Sequence, residues 1–258
     1  MLIDSHCHLH YKGLVEDQPA VLARARASGV TGFLNISTRR SEWDAVVATA
    51  EREPDVWASV GIHPHEADAH ADLGAQALLD ATAHPRVIGI GETGLDYFYD
   101  HSDRAVQRKL FVMHIGVARQ TGLPLIVHTR DAEADTASIL AEEMEQGAFP
   151  ALIHCFTASR GFAQTVLDLG LTISLSGIVT FKNARELQEI AGELPGDRML
   201  VETDAPFLAP VPHRGRTCEP AFVADTLRYV ASLRGEDPKA LAATTSANFF
   251  RLFAKAAA

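Results

Sequence analysis

The stretch IDSHCHLH, residues 3–10, places closely spaced polar side chains where a buried, apolar first strand is expected. Successive side chains of an extended segment point to opposite faces. We therefore expect Asp4, His6 and His8 on one face of the strand. Ile3, Ser5 and Cys7 are expected on the other face. This pattern is typical of a strand whose end opens into a functional site.

The rest of the chain repeats short apolar, β-branched runs that end in a polar residue or a glycine. In order, the eight runs are MLIDSH, VTGFLNIS, VWASVGIH, VIGIGE, PLIVHT, ALIHC, LTISLSG and MLVETD. Amphipathic segments predict helices at 17–28, 42–53, 73–83, 103–121, 133–146, 160–169 and 183–194, and closing helices at 219–234 and 237–254. This alternation, with roughly 30 residues per strand–helix unit, predicts an α/β fold of the (β/α)8 class, a TIM-like barrel.

An open, doubly wound sheet has the same alternation, so the position of the polar groups decides between the two folds. Histidines and carboxylates end strands from the first to the last of the series, at His6, His8, His63, Glu92, His128, His154 and Asp204. In a closed barrel all strand ends surround one mouth, whereas the first and last strands of an open sheet need not meet. We therefore predict one barrel domain over residues 1–258, with its site at the C-terminal ends of the strands.

The composition is that of an ordinary globular protein, with 47% hydrophobic and 22% charged residues. The formal net charge of −10 argues against a broad basic surface that follows nucleic acid by charge alone. It does not exclude a nucleic-acid substrate, because bound divalent ions can be the largest local charges in a site.

No signal-peptide pattern and no apolar run of roughly 18 residues occurs, so we expect a soluble, cytoplasmic protein without a membrane segment.

The three cysteines, Cys7, Cys155 and Cys218, lack CxxC spacing and are expected to be reduced thiols. Cys7 and Cys155 each adjoin a histidine on a predicted strand. We expect both to face the helix layer as small buried hydrophobes.

The imidazoles and carboxylates at the mouth form a donor set that suits Zn, Mn, Ni, Fe or, with more oxygen ligands and water, Mg. Burying them side by side without a cation would be costly. Two ions about 3.5 to 4 Å apart, sharing a carboxylate and a water, would use the whole set. Glu92, whose strand lies about halfway round the barrel, is the expected bridge.

Longer motifs run through the chain in a fixed order. They are IDSHCHL near the start, GIHPH at 61–65, IGIGETGLDYF at 88–98, PLIVHTRDA at 124–132, IHCFTAS at 153–159, ISLSGIVTFKNA at 173–184, LVETDAPFLAP at 200–210 and PHRGRTCEPAFV at 212–223. Over essentially its whole length the chain resembles the TatD family, metal-dependent deoxyribonucleases of the amidohydrolase-like barrel superfamily. One departure is Cys218, where the family usually has Asn before Glu-Pro.

The resemblance implies six ligands around two divalent ions, Mg, Mn or Zn. They are His6 and His8 on one ion, His128 and His154 on the other, Glu92 as the bridge, and Asp204 as a ligand that orients or deprotonates the nucleophilic water. Catalysis is thereby assigned to Asp204 and Glu92. The resemblance also implies contacts to the scissile phosphate from His63 and Arg130, and Arg214 in the loop after strand eight has the same expected task.

Several neighbouring residues are expected outside this ligand set. Glu202 should fix an imidazole tautomer, Asp96 should shape a loop, and Tyr97 and Phe98 should pack at the rim rather than stack on bases. The remaining histidines are expected on solvent or helix faces, namely His10, His65, His70, His84, His101, His114 and His213.

The function implied by the resemblance is hydrolysis of DNA phosphodiester bonds, 3′ to 5′, by a two-metal-activated water. DNA is the expected substrate, and no protein partner can be inferred.

The alternative is a metal-dependent hydrolase of an acyl ester or cyclic amide, such as a D-aminoacyl-tRNA deacylase. The acidic charge and the 7% aromatic content give this alternative some weight. The fourth strand ends in Glu92, whereas cyclic-amide hydrolases of this superfamily often have a carbamylated lysine there that bridges the metals. Glu92 therefore argues against a cyclic-amide substrate. A non-enzymatic barrel would have lost a ligand, and all six are present.

Overall fold

A computed structural model describes residues 1–257 and contains one eight-stranded sheet whose strand order follows the chain. The strands are β1 (Ile3–Cys7), β2 (Gly32–Asn35), β3 (Val56–Val60), β4 (Val87–Asp96), β5 (Leu125–Arg130), β6 (Ala151–Ile153), β7 (Thr172–Leu175) and β8 (Met199–Val201). Each strand pairs with the next in parallel register. The predicted TIM-like barrel is confirmed.

The ring closes between the end of β8 and the end of β1. Cys7 forms a parallel bridge with Ala205. The N–H of His8 donates to the carbonyl of Ala205 at 2.8 Å, and the N–H of Asp204 donates to the carbonyl of His6 at 2.9 Å. The backbone bonds that complete the barrel therefore bring the first and last polar motifs together.

Helices follow the strands on the outside of the barrel. They are α1 (Gln18–Ala27), α2 (Trp43–Arg52), α3 (Ala75–Thr82), α4 (Arg104–Thr121), α5 (Glu133–Glu145), α6 (Arg160–Asp168), α7 (Arg185–Glu193), α8 (Val223–Arg234) and α9 (Pro238–Leu252). Local sequence sets their ends: Asp103 caps the first N–H groups of α4, and Gly122 ends this helix at a φ of 71°. Among residues 1–257, none of the helices has the length and apolar character needed to cross a bilayer.

The barrel interior has an apolar floor beneath its polar mouth. Inward side chains of seven strands pack there against Phe249 of α9 and Phe253, the residue after this helix. Ile3 belongs to this inner cluster, whereas Cys7 belongs to the outer layer between sheet and helices. The expectation that these two residues share a face is therefore wrong, because the register of β1 against β2 shifts between Asp4 and Cys7.

Strand β4 continues past Glu92, where the sequence predicted its end, as far as Asp96. Its register against β5 shifts between Ile90 and Thr93, and Asp96 then pairs with Arg130. Gly94, at a φ of 139°, permits this path, because a Cβ atom there would overlap the carbonyl oxygen of His128. The missing side chain thus lets β4 lie against the part of β5 that carries His128.

We expect Gly94→Ala to destabilise the fold by about 2 kcal/mol or more, since the added methyl must push β4 away from β5. Urea unfolding followed by circular dichroism measures this change. Gly74→Ala is the matched control, because a Cβ at Gly74 meets no atom within 4 Å. Equal stability of the two variants would contradict the close approach of the two strands.

His114 of α4 lies in the core instead of on the predicted solvent or helix face, and that expectation is wrong for this residue. Its Nδ1 donates to the carbonyl of Leu110 at 2.7 Å, and its Nε2 accepts the N–H of Ile62 at 3.1 Å. Burial lowers the pKa of His114 to about 4, against the opposing hydrogen bond to Leu110. The imidazole is therefore neutral and anchors the segment that leads to His63.

This burial predicts an acid-sensitive contribution to stability. As pH falls from about 6.5 to about 4, the unfolded chain binds a proton at this histidine and the folded chain does not. We expect about 3 kcal/mol of stability to be lost through His114 over this interval. His114→Gln keeps an acceptor for Ile62 without titrating, so urea unfolding in EDTA should show a shallower pH dependence in this variant. Parallel pH profiles of the two proteins would refute the assignment.

Candidate metal centre

A cavity of about 680 Å³ opens at the C-terminal ends of the strands. It brings together most of the predicted site residues: His8, His63, Glu92, His128, Arg130, His154 and Asp204 all line it. His6 is fully buried directly behind this wall, with its Nε2 3.3 Å from a carboxylate oxygen of Glu92. Of the nine predicted site residues, only Arg214 is absent from both the cavity wall and the layer behind it.

One oxygen of Glu92, Oε1, faces the histidines of β5 and β6. It lies 2.7 Å from Nε2 of His154 and 3.0 Å from Nδ1 of His128. These two nitrogen atoms are themselves 3.4 Å apart. Three donor atoms thus converge on one side of the carboxylate.

The other oxygen of Glu92, Oε2, faces β1. It lies 3.3 Å from Nε2 of His6 and 3.9 Å from Nε2 of His8. Asp204 completes this side, with Oδ1 at 3.3 Å from Nε2 of His8 and 3.6 Å from Nε2 of His6. The Glu92 carboxylate therefore separates two groups of potential ligands.

Hydrogen bonds behind the cavity wall fix the tautomers of three of these imidazoles. The carbonyl of Ile36 accepts from Nδ1 of His8 at 2.9 Å. Asp96 accepts from Nε2 of His128 at 3.0 Å, and Glu202 accepts from Nδ1 of His154 at 3.2 Å. In each neutral imidazole the remaining nitrogen carries a lone pair directed at the centre, which is the arrangement that metal-bound histidines adopt.

The donor set fits divalent cations, because these lone pairs face carboxylate oxygens with no proton between them. Although burial opposes it, the charges of Glu92 and Glu202 raise the pKa of His154 well above its usual value. The pKa of Glu92 is held well below its usual value by His154, His63 and His128, which outweigh the cost of its burial. The centre thus stabilises positive charge, as a metal site must.

His63 differs from the other imidazoles around Glu92. Its Nε2 lies 3.4 Å from Oε1 of Glu92, close enough for a ligand. However, its Nδ1 accepts the N–H of His65 at 3.1 Å, so a neutral His63 carries its proton on Nε2. Burial lowers the pKa of His63 to about 4, and this imidazole is neutral near pH 7. His63 therefore presents a hydrogen-bond donor to the cavity rather than a lone pair.

Glu202 is placed as the sequence predicted, beside an imidazole. One of its oxygens accepts from His154, and the other accepts the hydroxyl of Ser174. Both oxygens are thus engaged in the fully buried layer behind the cavity. This arrangement supports the expectation that Glu202 fixes an imidazole tautomer and is not a ligand.

Asp96 has two tasks, of which the sequence predicted one. Its Oδ1 accepts the N–H groups of Phe98 and Tyr99 and shapes the loop after β4, as expected. Its Oδ2 accepts from His128 at 3.0 Å and from His65 at 2.9 Å, which sequence reasoning missed. The solvent or helix-face expectation for His65 is therefore wrong.

The two arginines predicted to bind phosphate occupy different settings. Arg130 ends β5 at the cavity mouth and stacks over the ring of Phe98 at 3.9 Å. Arg214 stacks over Phe181 at 3.7 Å, outside the cavity wall. Among residues 1–257, neither guanidinium has a carboxylate oxygen within 4.0 Å.

Cys155 does not face the helix layer, and that expectation is wrong. Its backbone adopts a φ of 45° immediately after His154, and its side chain lines the cavity. The alternation of a strand does not apply there, because β6 already ends at Ile153. Cys218, in contrast, is fully buried in the outer layer.

We expect Asp96→Asn to weaken metal binding by about 10- to 100-fold. The new amide would donate to Nε2 of His128, moving the imidazole proton to Nδ1 and removing the lone pair that faces Glu92. Isothermal titration with Mn²⁺ measures the change. Asp103→Asn is the matched control, since Asp103 caps α4 and touches no candidate ligand. If both variants bind Mn²⁺ as the unsubstituted protein does, Asp96 does not set the tautomer.

Comparisons with known proteins identify a family of metal-dependent hydrolases. The family model described as "TatD related DNase" matches residues 3–254. An Escherichia coli K12 protein named as an uncharacterized metal-dependent hydrolase, YcfH, is 43% identical over 255 residues, covering 98% of this chain and 95% of the relative. A Cronobacter sakazakii protein named "3'-5' ssDNA/RNA exonuclease TatD" is 36% identical, covering 93% of this chain and 92% of the relative.

A solved structure of a TatD homologue has the same fold over nearly the whole chain. The TatD homologue YjjV of Escherichia coli K12 has a TM-score of 0.91 to this fold at 28% identity, covering 98% of both chains. Sequence and structure thus agree over nearly the whole length. The chain belongs to the TatD family of metal-dependent hydrolases.

Proposed function

We propose that this hydrolase is a two-metal phosphodiesterase that removes nucleotides from the 3′ end of DNA. The observation that carries the proposal is the division of the Glu92 carboxylate, with each oxygen facing a separate set of nitrogen donors. A bridging carboxylate of this kind is typical of paired-metal sites that hydrolyse phosphate esters. The name of the Cronobacter relative supports the nucleic-acid substrate and the direction of cleavage.

The assignment of ligands follows the two sides of Glu92. His6, His8 and Asp204 would hold one ion, and His128 and His154 would hold the other. Bound there, two divalent cations supply Lewis acidity: they lower the pKa of a water and neutralise charge on the phosphate oxygens. All other tasks fall to side chains of the chain itself.

Asp204 is the base in this scheme. It lines the cavity with a half-buried carboxylate, so it can contact a water there. Burial raises the pKa of this carboxyl, but the hydrogen bond to His8 and the charges of His6 and His8 outweigh that effect and lower it. Asp204 is therefore ionised near neutral pH and accepts the proton of the attacking water.

In this proposal His63 and Arg130 hold the substrate. His63 lines the cavity with its Nε2 3.4 Å from Oε1 of Glu92, and in this proposal its Nε2 proton donates to a phosphate oxygen when substrate is bound. Arg130 keeps its guanidinium edge free of carboxylate partners at the mouth, and its forked donors match two phosphate oxygens. The same task for Arg214 remains a prediction from sequence, because its side chain lies against Phe181.

We expect EDTA to abolish cleavage of 3′-labelled single-stranded DNA and Mn²⁺ to restore it. Asp204→Asn should lower the rate by at least about 100-fold, because the amide cannot accept the proton of water. Asp237→Asn is the control, since Asp237 only caps α9. Full activity of Asp204→Asn would show that this residue is not the base, or that a contaminating nuclease cleaves the DNA.

Parallel assays on acyl esters, cyclic amides and aminoacyl-tRNA test the choice of substrate. The proposal predicts that hydrolysis of the phosphodiester is faster than that of any acyl substrate. A faster acyl reaction by the same Mn²⁺-loaded protein, lost in Asp204→Asn, would assign the site to acyl transfer and overturn the nuclease function.

A further inference from the structure

The exposed aromatic side chains of the described chain are gathered at the cavity mouth. Among residues 1–257, only Phe98, Tyr99 and Phe207 are exposed aromatics, at 54%, 47% and 50% of their surface. Tyr99 and Phe207 line the cavity, and Phe98 lies 4.7 Å from Tyr99 between ring centroids. Exposed aromatic surface beside a functional cavity is typical of a binding site.

Tyr97 and Phe98 both pack at the rim, as the sequence predicted. The hydroxyl of Tyr97 donates to Asp135 at 2.6 Å, and Arg104 stacks over its ring. Phe98 contacts Tyr99 and the guanidinium of Arg130. These contacts leave 54% of the surface of Phe98 exposed, so aromatic surface remains available to a ligand.

The aromatic residues stand on opposite sides of the barrel mouth. Phe98 and Tyr99 follow β4, and Arg130 ends the neighbouring strand β5. Phe207 follows β8 and faces the β1 side, with its ring 6.3 Å from His8. In a ring ordered from β1 to β8, the β4–β5 side lies four strands from the β8–β1 side. The candidate metal centre lies between the two.

Charge makes stacking the more important means of binding nucleic acid for this chain. The net charge of −10 gives little general attraction for a polyanion. Stacking of bases on aromatic rings does not depend on that attraction and is available to every base of an unpaired strand. Bases within a duplex already stack on their neighbours, so these rings would favour single-stranded ends.

We propose that the two nucleotides flanking the scissile phosphate stack their bases on opposite rims, one on the Phe98–Tyr99 rim and the other on Phe207. Arg130, held between the Phe98 and Tyr99 rings, then reaches the phosphate from the first rim. This inference rests on the proposed nuclease function and specifies its substrate as an unpaired 3′ end. The two rims contact the bases and so determine specificity, whereas the scissile phosphate lies at the metal centre.

The experiment compares two single-stranded DNAs of equal length with the Mn²⁺-loaded protein. One is unmodified, and the other carries tetrahydrofuran in place of the base at its two 3′-terminal nucleotides. The phosphates are the same in both strands, so the ratio of kcat/KM for the two isolates the contribution of the bases. We expect the unmodified strand to be preferred by roughly 30-fold or more, since two stacked bases are lost together.

Phe98→Leu and Phe207→Leu should each reduce this preference, and the double variant should abolish it, because cleavage of the unmodified strand falls further than cleavage of the abasic strand. Val112→Ala, an exposed apolar position on α4, is the control and should retain the preference. Cleavage of the abasic strand also reports that each variant is folded.

Three results would overturn the inference. The first is that the double variant keeps the full preference for the strand with bases. The second is that the unsubstituted protein shows no preference, and the third is that the variants lose the same fraction of kcat/KM on both strands. The first two leave the nuclease function intact if DNA is cleaved. Failure of the unsubstituted protein to cleave either strand would instead refute the proposed function, and the stacking model with it.

Discussion

The carboxylate of Glu92 is buried at the mouth of the barrel, and its oxygens face imidazole nitrogens on two sides. An ionised carboxylate in that position requires compensating positive charge, because its desolvation is costly. The site provides for that charge as protons on its imidazoles or as cations between the donors. The chemistry proposed for the chain follows from this requirement, since cations held there lie beside Asp204 and an open cavity.

Much of the surrounding structure holds the imidazoles in orientation around this carboxylate. Asp96 and Glu202 fix the tautomers of His128 and His154 from behind the cavity wall. Gly94 lets β4 run close to the backbone of His128. The apolar floor and α9 fill the barrel below, so the polar groups gather at one end only. The fold thus orients the donors around Glu92.

The sequence predicted the barrel and its polar mouth because strand periodicity and the spacing of polar residues are local signals. It did not predict features that depend on departures from a regular strand. Asp96 reaches His128 only because β4 continues past Glu92, and Ile3 changes face at a register shift in β1. Cys155 turns into the cavity through a left-handed backbone conformation. The proton on Nε2 of His63 depends on a backbone N–H that the spacing of residues cannot indicate.

The proposed function depends on Glu92 bridging two cations. Diffraction at the manganese absorption edge from crystals soaked in Mn²⁺ tests this, because anomalous scattering locates each ion independently of the protein. We expect two peaks about 3.5 to 4 Å apart, one bound by His6, His8 and Asp204 and the other by His128 and His154, with Glu92 between them. A single peak at saturating Mn²⁺, or two peaks that do not share Glu92, would contradict it.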